Sequence, residues 1–346
     1  QVVPMTEEIK QEVRRKNKEF ADKALRLLGT AYREHDQVPE NFDAENLEKD
    51  LTFIGFVGMI DPCRPEVYDA IKECRKAGIR PVMITGDHID TAVAIGKDLG
   101  IIKDASEAMT GAELDGLSEK DLIKKVKKCS VFARVQPEHK TKIVRAFKAQ
   151  ELVVAMTGDG VNDAPSIKAA DIGISMGITG TDVTKQASDM VLADDNFATI
   201  VNAVEEGRKI YDNIRKVLQF QLSTNAAEVI YVFLASAFGI TVVTPAQLLW
   251  INMVTDSTPG LALGMEKAEG NLMKRKPRNS NEGVFSDGAG SSMIIHGVIM
   301  AFIVLISFFI GQYIELGHYG VFESVDGMTM AFLTANLVEM FYAICM

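Results

Sequence analysis

Residues 157–176 read TGDGVNDAPSIKAADIGISM and combine carboxylates, an amide and small residues directly after an apolar run at 152–156. A short apolar run that ends at glycine is typical of a strand covered on both faces. Asp159, Asn162 and Asp163 then lie at the carboxyl end of that strand, where open α/β sheets place their ligands. Two carboxylates this close repel each other unless a cation separates them, and Mg²⁺ prefers oxygen ligands. The stretch therefore predicts a magnesium site, although aspartate and asparagine are also common helix caps.

Two other stretches carry residues suited to phosphoryl transfer. Thr85, Gly86 and Asp87 follow one predicted strand, and Lys140 lies in the first turn of a predicted helix. A hydroxyl can hold a phosphoryl oxygen, a lysine can neutralise it and aspartates can hold Mg²⁺. The set lacks a nucleophile, because no Asp-Lys-Thr-Gly stretch occurs in the 346 residues.

The elements that must position these residues alternate along the first part of the chain. Strands are predicted near 53–59, 80–85, 131–135, 152–156 and 172–176. Helical patterns lie between them, near 64–77, 90–99, 118–128, 137–148 and 163–170. This alternation is typical of a mostly parallel, doubly wound α/β sheet.

Composition divides the chain into two regions and restricts the classes of binding partner. Residues 1–216 are rich in charge, whereas 217–346 contain long apolar runs. The net charge of −10 argues against a nucleic-acid partner and favours small cations. The four cysteines lack paired spacing and the five histidines are scattered, so neither predicts a disulfide framework or a zinc site. The start at Gln1, without an initiator methionine or signal peptide, indicates a fragment.

Four apolar segments are predicted to span a membrane, near 217–240, 245–265, 293–314 and 328–346, because each approaches the roughly 20 residues that a bilayer core requires. The alternative is a set of buried helices in a soluble protein. It fits the third segment poorly, since that segment contains no charged residue.

Basic residues in the flanking loops predict the orientation. Four precede the first segment and four follow the second: Arg208, Lys209, Arg215, Lys216, Lys274, Arg275, Lys276 and Arg278. The links 241–244 and 315–327 contain no lysine or arginine. By the positive-inside rule, the soluble region and the 266–292 loop are cytoplasmic.

Polar residues inside the first two segments predict a cation site. Asn225 and Glu228 are spaced i, i+3, and Asn252, Thr255 and Asp256 are spaced i, i+3, i+4, so each set lies on one helical face. Buried carboxylates are costly in a bilayer and are usually functional. Hydrogen bonding between helices is the alternative, and it explains the amides and the hydroxyl better than the carboxylates.

Two further residues bear on this predicted site. Pro259 lies one turn beyond Asp256 and could free backbone carbonyls to act as ligands. Glu339, in the last segment, is either a third contributor to the site or an interfacial residue.

Taken together, the motifs resemble those of a known family. MITGDH, FARVQPEHKTKIV, TGDGVNDAP and LLWINMVTDSTPGLALG occur in this order at 83–88, 132–144, 157–165 and 248–264. The chain resembles the carboxyl-terminal half of a P-type cation-transporting ATPase. Its Asn-x-x-Glu and Asn-x-x-Thr-Asp patterns resemble those of calcium pumps of the sarcoplasmic reticulum type.

The resemblance implies a domain order. Residues 1–50 would end a nucleotide-binding domain, 51–198 would form a phosphorylation (P) domain of haloacid-dehalogenase-like fold, and 199–216 would form a stalk helix. Residues 217–346 would form an α-helical transmembrane bundle of four segments. The family's phosphorylated aspartate, its actuator domain, its first four membrane helices and a later ligand on the eighth helix would lie outside this chain, in the missing amino-terminal half or beyond residue 346.

The resemblance also implies the roles of individual residues in the P domain. Asp159 would bind Mg²⁺, with Asn162 and Asp163 shaping the same site. Thr85, in the Thr85-Gly86-Asp87 stretch, would bind the phosphoryl group, and Lys140 would stabilise its charge. ATP would be the substrate and Mg²⁺ the cofactor.

Further residues would contact the nucleotide or the hinge around it, namely Asp61, Arg64, Asp87, Arg134 and Arg26. For Arg26, a solvated position on an amphipathic helix is an equal alternative. The 61–64 hinge has cysteine where the family usually has a second proline. The ligands of transported Ca²⁺, within the lipid bilayer, would be Asn225, Glu228, Asn252, Thr255 and Asp256.

Other functions remain open at this stage. A pump for another cation, such as Mn²⁺ or Na⁺/H⁺, would use similar oxygen ligands. A membrane-tethered haloacid-dehalogenase-type phosphatase would use Asp61 as its nucleophile, but Cys63 replaces its usual second aspartate. A truncated regulatory protein that pairs with an intact pump is a non-catalytic alternative.

Overall fold

The structure, a computed structural model, describes residues 2–21, 25–35, 43–59, 62–279, 282–286, 288–321 and 323–346. The chain divides into two compact units. The first comprises Gln1–Asn202 and Met273–Ser280, and the second comprises Ala203–Leu272 and Asn281–Met346.

The first unit is built from short strands and helices. Its strands are β1 (Arg26–Tyr32), β2 (Thr52–Met59), β3 (Met83–Ile84), β4 (Ala108–Thr110), β5 (Val131–Ala133), β6 (Ala155–Gly158), β7 (Ile172–Met176) and β8 (Met190–Leu192). Its helices are α1 (Glu7–Ala21), α2 (Ala44–Leu47), α3 (Pro65–Lys76), α4 (Ile89–Asp98), α5 (Gly111–Asp115), α6 (Glu119–Val126), α7 (Pro137–Lys148), α8 (Ala164–Ala169) and α9 (Asp182–Ala187), with 3-10 turns at Ala105–Glu107 and Val161–Asp163. The helices predicted near 64–77, 90–99, 118–128, 137–148 and 163–170 are therefore present as α3, α4, α6, α7 and α8.

The described strands form three separate sheets. Two are parallel and three-stranded, in the orders β3-β5-β4 and β6-β7-β8. The strand predicted near 53–59 is present as β2, but it pairs antiparallel with β1 and lies outside both parallel sheets. Arg26 begins β1, so its backbone is extended and the amphipathic-helix alternative is wrong.

Two predicted strands differ from those observed for identifiable reasons. Pro81 has no N–H to donate, and the parallel ladder of β3 begins only at Met83. The run predicted as a strand at 152–156 starts after Glu151, whose φ of 61° turns the chain. Leu152 and Val153 are consequently exposed rather than buried, and the strand forms later, at β6.

Side chains of β5 anchor the core of the first unit on both faces of its sheet. Val131 and Ala133 pack with Ile71 of α3 and Ala92 of α4. Phe132 points the opposite way and packs in a second cluster with residues of α6 and α7. Helices therefore cover both faces, and the carboxyl end of β5 is held in place by packing on either side.

The second unit is helical. It contains most of α10 (Phe197–Ala237), followed by α11 (Pro245–Trp250), a π-helix (Ile251–Asp256), α12 (Ser257–Gly264), α13 (Ala289–Leu316) and α14 (Val325–Ile344). A 3-10 turn at Leu272–Lys274 begins in this unit and ends in residues of the first. Glycines bring α13 and α14 close together, because a Cβ on Gly311 would lie 2.8 Å from the backbone of Asp326 and Gly327.

Two helices in the described part of the chain are long and apolar enough to cross a membrane. These are α13 and α14, with mean hydropathies of 2.7 and 1.3. The segment predicted at 217–240 lies at the end of α10, where polar side chains lower the hydropathy. The segment predicted at 245–265 is divided by the π-helix into three short pieces. The complete four-segment bundle thus stays a prediction.

Candidate functional sites

The carboxyl ends of β3 and β5 are joined by backbone hydrogen bonds. The amide of Val135 donates to the carbonyl of Thr85 at 3.1 Å, and the amide of Arg134 donates to the carbonyl of Asp87 at 3.0 Å. The Thr85 hydroxyl donates to the Asp87 carboxylate at 2.9 Å and accepts from the Asp87 amide at 3.1 Å. Gly86 borders open space, so a ligand can approach this loop closely. Thr85 and Asp87 therefore form one rigid, accessible turn.

Lys140 and Asp163 form an ion pair between α7 and the 158–163 loop. Asp163 is only 6% exposed, and its second carboxylate oxygen accepts from the Gly160 amide at 3.3 Å. The Ser166 hydroxyl donates to the Asp163 carbonyl at 2.8 Å. Lys140 thus neutralises one of the two carboxylates whose proximity suggested a cation, and the magnesium site at Asp159 stays a prediction.

Gly158 makes this ion pair possible. A Cβ at this position would lie 2.4 Å from Cβ and 2.8 Å from Cγ of Asp163. Carbon atoms in contact are normally separated by about 3.5–4.0 Å. The Asp163 side chain therefore lies against the Gly158 backbone. Any residue type with a Cβ at position 158 would occupy this space.

Asp159 and Asn162 remain exposed beside the buried pair. The Asp159 carbonyl accepts from the Thr181 amide at 3.0 Å, which fixes the backbone of the loop. Its carboxylate makes no hydrogen bond or ion pair with any described residue. Mg²⁺ usually binds one or two carboxylates and completes its shell with water and substrate phosphate. The donor set fits that mode, and no cluster of three or more His, Cys, Asp or Glu ligands occurs among the described residues.

Asp195 holds the neighbouring loop and was not identified from the sequence. Its carboxylate accepts from the Ile178 amide at 3.0 Å and from the amide and hydroxyl of Thr179, each at 2.8 Å. These bonds, the backbone bond from Ile178 foremost, lower the pKa of Asp195 to about 2. The Arg64 guanidinium donates to the Asp195 carbonyl at 3.2 Å. The acidic pair Asp194-Asp195, just before the start of α10, was the signal available in the sequence.

His139 is a second residue that sequence reasoning missed, although it adjoins Lys140. It is 4% exposed, and its Nδ1 accepts from the Gln136 amide at 3.2 Å. Nε2 must therefore carry the proton, and it donates to Asp115 Oδ1 at 2.8 Å. This bond from His139, aided by Lys142, lowers the pKa of Asp115. The pair fixes the first turn of α7, which carries Lys140.

The residues assigned to nucleotide binding are only partly described. Asp61 and the side chain of Arg26 lie outside the described residues. Arg64, Asp87 and Arg134 are exposed, and Arg134 has a φ of 50°. The structure brings Asp87 and Arg134 together through their backbones, whereas the side chain of Arg64 contacts Asp195.

In the second unit, Glu228 and the π-helix meet. Asn252 Nδ2 donates to both carboxylate oxygens of Glu228, at 3.0 and 3.2 Å. The Thr255 hydroxyl donates to the side-chain oxygen of Asn336 on α14, a residue that no sequence pattern had indicated. A π-helix commonly marks a functional site. Here it carries Asn252, Thr255 and Asp256 toward α10 and α14.

Glu339 belongs to the same buried cluster. Glu228, Asp256 and Glu339 are 7%, 3% and 4% exposed and their charges influence one another, although the three carboxylates are not arranged as a ready-made metal site in the described residues. One oxygen of Asp256 and one of Glu339 have no hydrogen-bond partner among the described residues. Of the two alternatives for Glu339, the structure favours a contributor to the cluster over an interfacial residue.

Asn225 does not join this cluster. It is half-buried and lines a shallow groove of α10 together with Ile294 of α13. Its side chain makes no hydrogen bond with the described residues. The shared face predicted for Asn225 and Glu228 therefore does not bring both side chains into the buried cluster.

Comparisons with known proteins match both units. Residues 2–171 match the family of haloacid dehalogenase-like hydrolases, and residues 240–346 match the family described as "Cation transporting ATPase, C-terminus". The first match includes the Thr85 turn and the Lys140–Asp163 pair. The second includes the π-helix and Glu339.

Curated relatives match nearly the whole chain. Calcium-transporting ATPase 1 of Bacillus cereus is 47% identical over 350 residues, which cover 98% of this chain and 39% of that protein. The calcium-transporting ATPase of Bacillus subtilis is 48% identical over 324 residues, covering 93% and 36%. The endoplasmic reticulum-type calcium-transporting ATPase 2 of Arabidopsis thaliana is 40% identical over 355 residues, covering 96% and 34%. The chain thus spans less than two fifths of these relatives, and it belongs to the family of P-type cation-transporting ATPases.

Proposed function

We propose that the chain is part of an ATP-driven pump that moves Ca²⁺ across a membrane through a phosphoenzyme cycle. The observation that carries the proposal is the buried oxygen cluster of Glu228, Asp256 and Glu339. Three buried carboxyl groups within interaction range are strongly unfavourable unless protons or a cation offset them. Carboxylate, amide and hydroxyl oxygens together suit a hard cation such as Ca²⁺. The names of the curated relatives point to the same ion.

The first unit would act as the P domain, with a haloacid-dehalogenase-like, doubly wound architecture. In this proposal, Thr85 and Lys140 contact the transferred phosphoryl group. Asp163 keeps Lys140 oriented, and the exposed carboxylate of Asp159 holds Mg²⁺. The metal ion would supply charge neutralisation for the phosphate.

The domain order proposed is that of the family. Residues 1–50 end the nucleotide-binding domain, 51–198 form the P domain, 199–216 form the stalk and 217–346 form the membrane part. The basic residues of the 266–292 loop support a cytoplasmic position for the P domain. The lipid bilayer, ATP and the remainder of the pump are the partners that this arrangement requires.

The test is Ca²⁺-dependent phosphoenzyme formation from labelled ATP, using the complete protein that contains this chain. Wild type is compared with Asp256→Asn and Glu228→Gln, which remove charge but preserve shape. We expect phosphorylation of wild type to require Ca²⁺, and each variant to need a much higher Ca²⁺ concentration. Phosphorylation from inorganic phosphate, which runs the cycle in reverse, reports whether the P domain is intact.

The outcomes separate the candidate functions. If phosphorylation does not depend on Ca²⁺ but requires Mn²⁺ or Na⁺, the protein is still a cation pump, and its transported ion is not Ca²⁺. If neither variant alters the cation requirement, the cluster is not the transport site. If no acid-stable phosphoenzyme forms with any cation, the pump proposal is wrong.

A further inference from the structure

Tyr231 of α10 carries a buried hydroxyl that the proposed function leaves unexplained. The side chain is 1% exposed and is among the largest fully buried side chains in the described residues. Its ring packs with Ala227, Ala235 and Ile251 in the core of the second unit. The hydroxyl has no hydrogen-bond partner among the described residues. Buried tyrosine hydroxyls normally have a partner, so this one indicates a missing ligand.

The position of Tyr231 relates it to the carboxylate cluster. It lies three residues after Glu228, on the same face of α10. Tyr231 also shares a packed core with Ile251, which adjoins Asn252 of the π-helix, and with Ala335, which lies one turn before Glu339 on α14. Because the ring is enclosed by apolar side chains, the hydroxyl cannot turn to solvent to find a partner.

Two carboxylate oxygens in the described part of the same unit also lack a hydrogen-bond partner. Among the described residues, the buried side-chain polar atoms without a partner are Tyr231 Oη, Asp256 Oδ1 and Glu339 Oε2. None of the three hydrogen-bonds to another. Two of the three oxygens are carboxylate oxygens, whose negative charge favours a cation over a neutral molecule as the missing partner.

We propose that the Tyr231 hydroxyl is a neutral oxygen ligand of the transported cation, alongside Asp256 and Glu339. The inference rests on the proposed function, since it adds a residue to the same site. Ca²⁺ takes six to eight oxygen ligands, and a neutral oxygen increases that number without adding repulsion between carboxylates. Tyr231 thereby contributes to affinity for the cation and leaves the charge of the site unchanged.

The test uses Tyr231→Phe in the complete protein, because this change removes only the hydroxyl. Two quantities are measured: equilibrium binding of radioactive Ca²⁺, and the Ca²⁺ concentration that half-saturates phosphorylation by ATP. Tyr342→Phe is the matched control, since the Tyr342 hydroxyl has a protein partner, Ser223 Oγ, at 3.2 Å. We expect Tyr231→Phe to weaken Ca²⁺ binding roughly tenfold, as for loss of one bond to a charged group, and Tyr342→Phe to leave it unchanged.

Phosphorylation from inorganic phosphate, in the absence of Ca²⁺, serves as the second measurement. It should stay at the wild-type level in Tyr231→Phe if the hydroxyl acts on the cation alone. A structural role predicts a lower melting temperature with an unchanged half-saturating Ca²⁺ concentration, and that result would overturn the inference. Binding by Tyr231→Phe within twofold of wild type would do the same.

Asp256→Asn, measured in parallel, distinguishes failure of the Tyr231 inference from failure of the proposed cation site. If Asp256→Asn abolishes Ca²⁺ dependence and Tyr231→Phe does not affect it, the inference about Tyr231 fails and the pump proposal stands. If neither variant alters Ca²⁺ binding, the cation site itself has been wrongly placed and both fail.

Discussion

Replacing Gly158 by alanine should disrupt the Lys140–Asp163 ion pair without touching either charge. The added Cβ would lie 2.4 Å from Asp163 Cβ and 2.9 Å from its Oδ2. Carbon atoms in contact are normally about 3.5–4.0 Å apart, so the separation of the two Cβ atoms is at least about 1 Å too short. Rotation of the Asp163 side chain leaves its Cβ in place, so the backbone of β6 or of the 160–163 turn must move, and this displaces the Asp163 carboxylate from Lys140.

The expected loss of stability has two parts. Overpacking of a well-filled site costs about 1–3 kcal/mol. Separation of a mostly buried ion pair adds to it, and because the Lys140 side chain is 20% exposed, this part is well below the roughly 3–5 kcal/mol seen for fully buried pairs. We expect the unfolding free energy of the first unit to fall by about 2–4 kcal/mol in total.

A double-mutant cycle isolates the ion-pair part. Gly158→Ala is measured in wild type and in Lys140→Met, where the ion pair is already absent. We expect the effect of Gly158→Ala to shrink by more than about 0.5 kcal/mol in that background, because the two changes share one interaction. Hydrogen exchange of amides in β5 and β6 reports stability of the first unit separately from the helical unit.

Gly207→Ala provides the control for the substitution itself. A Cβ on Gly207, within α10, meets nothing within 4 Å. Alanine there should stabilise the helix by up to about 1 kcal/mol. The reasoning about Gly158 is refuted if Gly158→Ala costs under about 0.5 kcal/mol, or if its cost adds in full to that of Lys140→Met.

Three further predictions follow from the described contacts. Asp195→Asn should lower the melting temperature at neutral pH. Because the pKa of Asp195 is about 2 in the fold against an ordinary 3.8, its contribution is complete above the ordinary value and declines as pH falls toward 2. Thermal melts of wild type and Asp195→Asn should therefore converge in acid, and a constant gap would contradict the assignment. Cys74 and Cys129, whose thiol pKa values are raised by burial, should resist alkylation in the native chain, and rapid labelling would show that the core opens. Two glycines inserted after Asn213 interrupt α10 and should uncouple ATP hydrolysis from transport in the complete protein; unchanged transport per ATP would refute coupling through this helix.

Local elements of the first unit could largely be predicted. The helices α3, α4, α6, α7 and α8 each have an apolar stripe of helical period, and three of them begin with clear start signals. Pro65 and Pro137 occupy the first turns of α3 and α7, and Ser118 caps α6. The strands were harder, because β3, β4 and β5 are two or three residues long and carry little periodicity.

Errors arose where a local pattern competed with a distant partner. The run at 152–156 has the composition of a buried strand, yet hydrogen bonds to residue 171 set the start of β6. The strand near 53–59 was correctly located, but its antiparallel pairing with 26–32 depends on a partner that sequence periodicity does not specify.

Residue types and helical spacing alone indicate which oxygen-bearing residues are available and on which helical faces they lie. They select Asp159, Glu228 and Asp256, and family membership follows from the same residues. Only the packing of the elements shows which of them share a site. It paired Lys140 with Asp163, it brought Glu339 into the carboxylate cluster and it left Asn225 outside.

Spacing along the sequence specifies which face of a helix or strand a side chain lies on. It does not specify the distance between side chains on different elements. Lys140 and Asp163 lie on different elements, and they meet only because Gly158 leaves room for the aspartate. Tyr231 of α10 packs in the same core as Ala331 and Ala335 of α14, because these small residues let the helices approach closely. Packing of this kind depends on the volumes of many side chains at once. It therefore cannot be predicted from the pattern of one segment at a time.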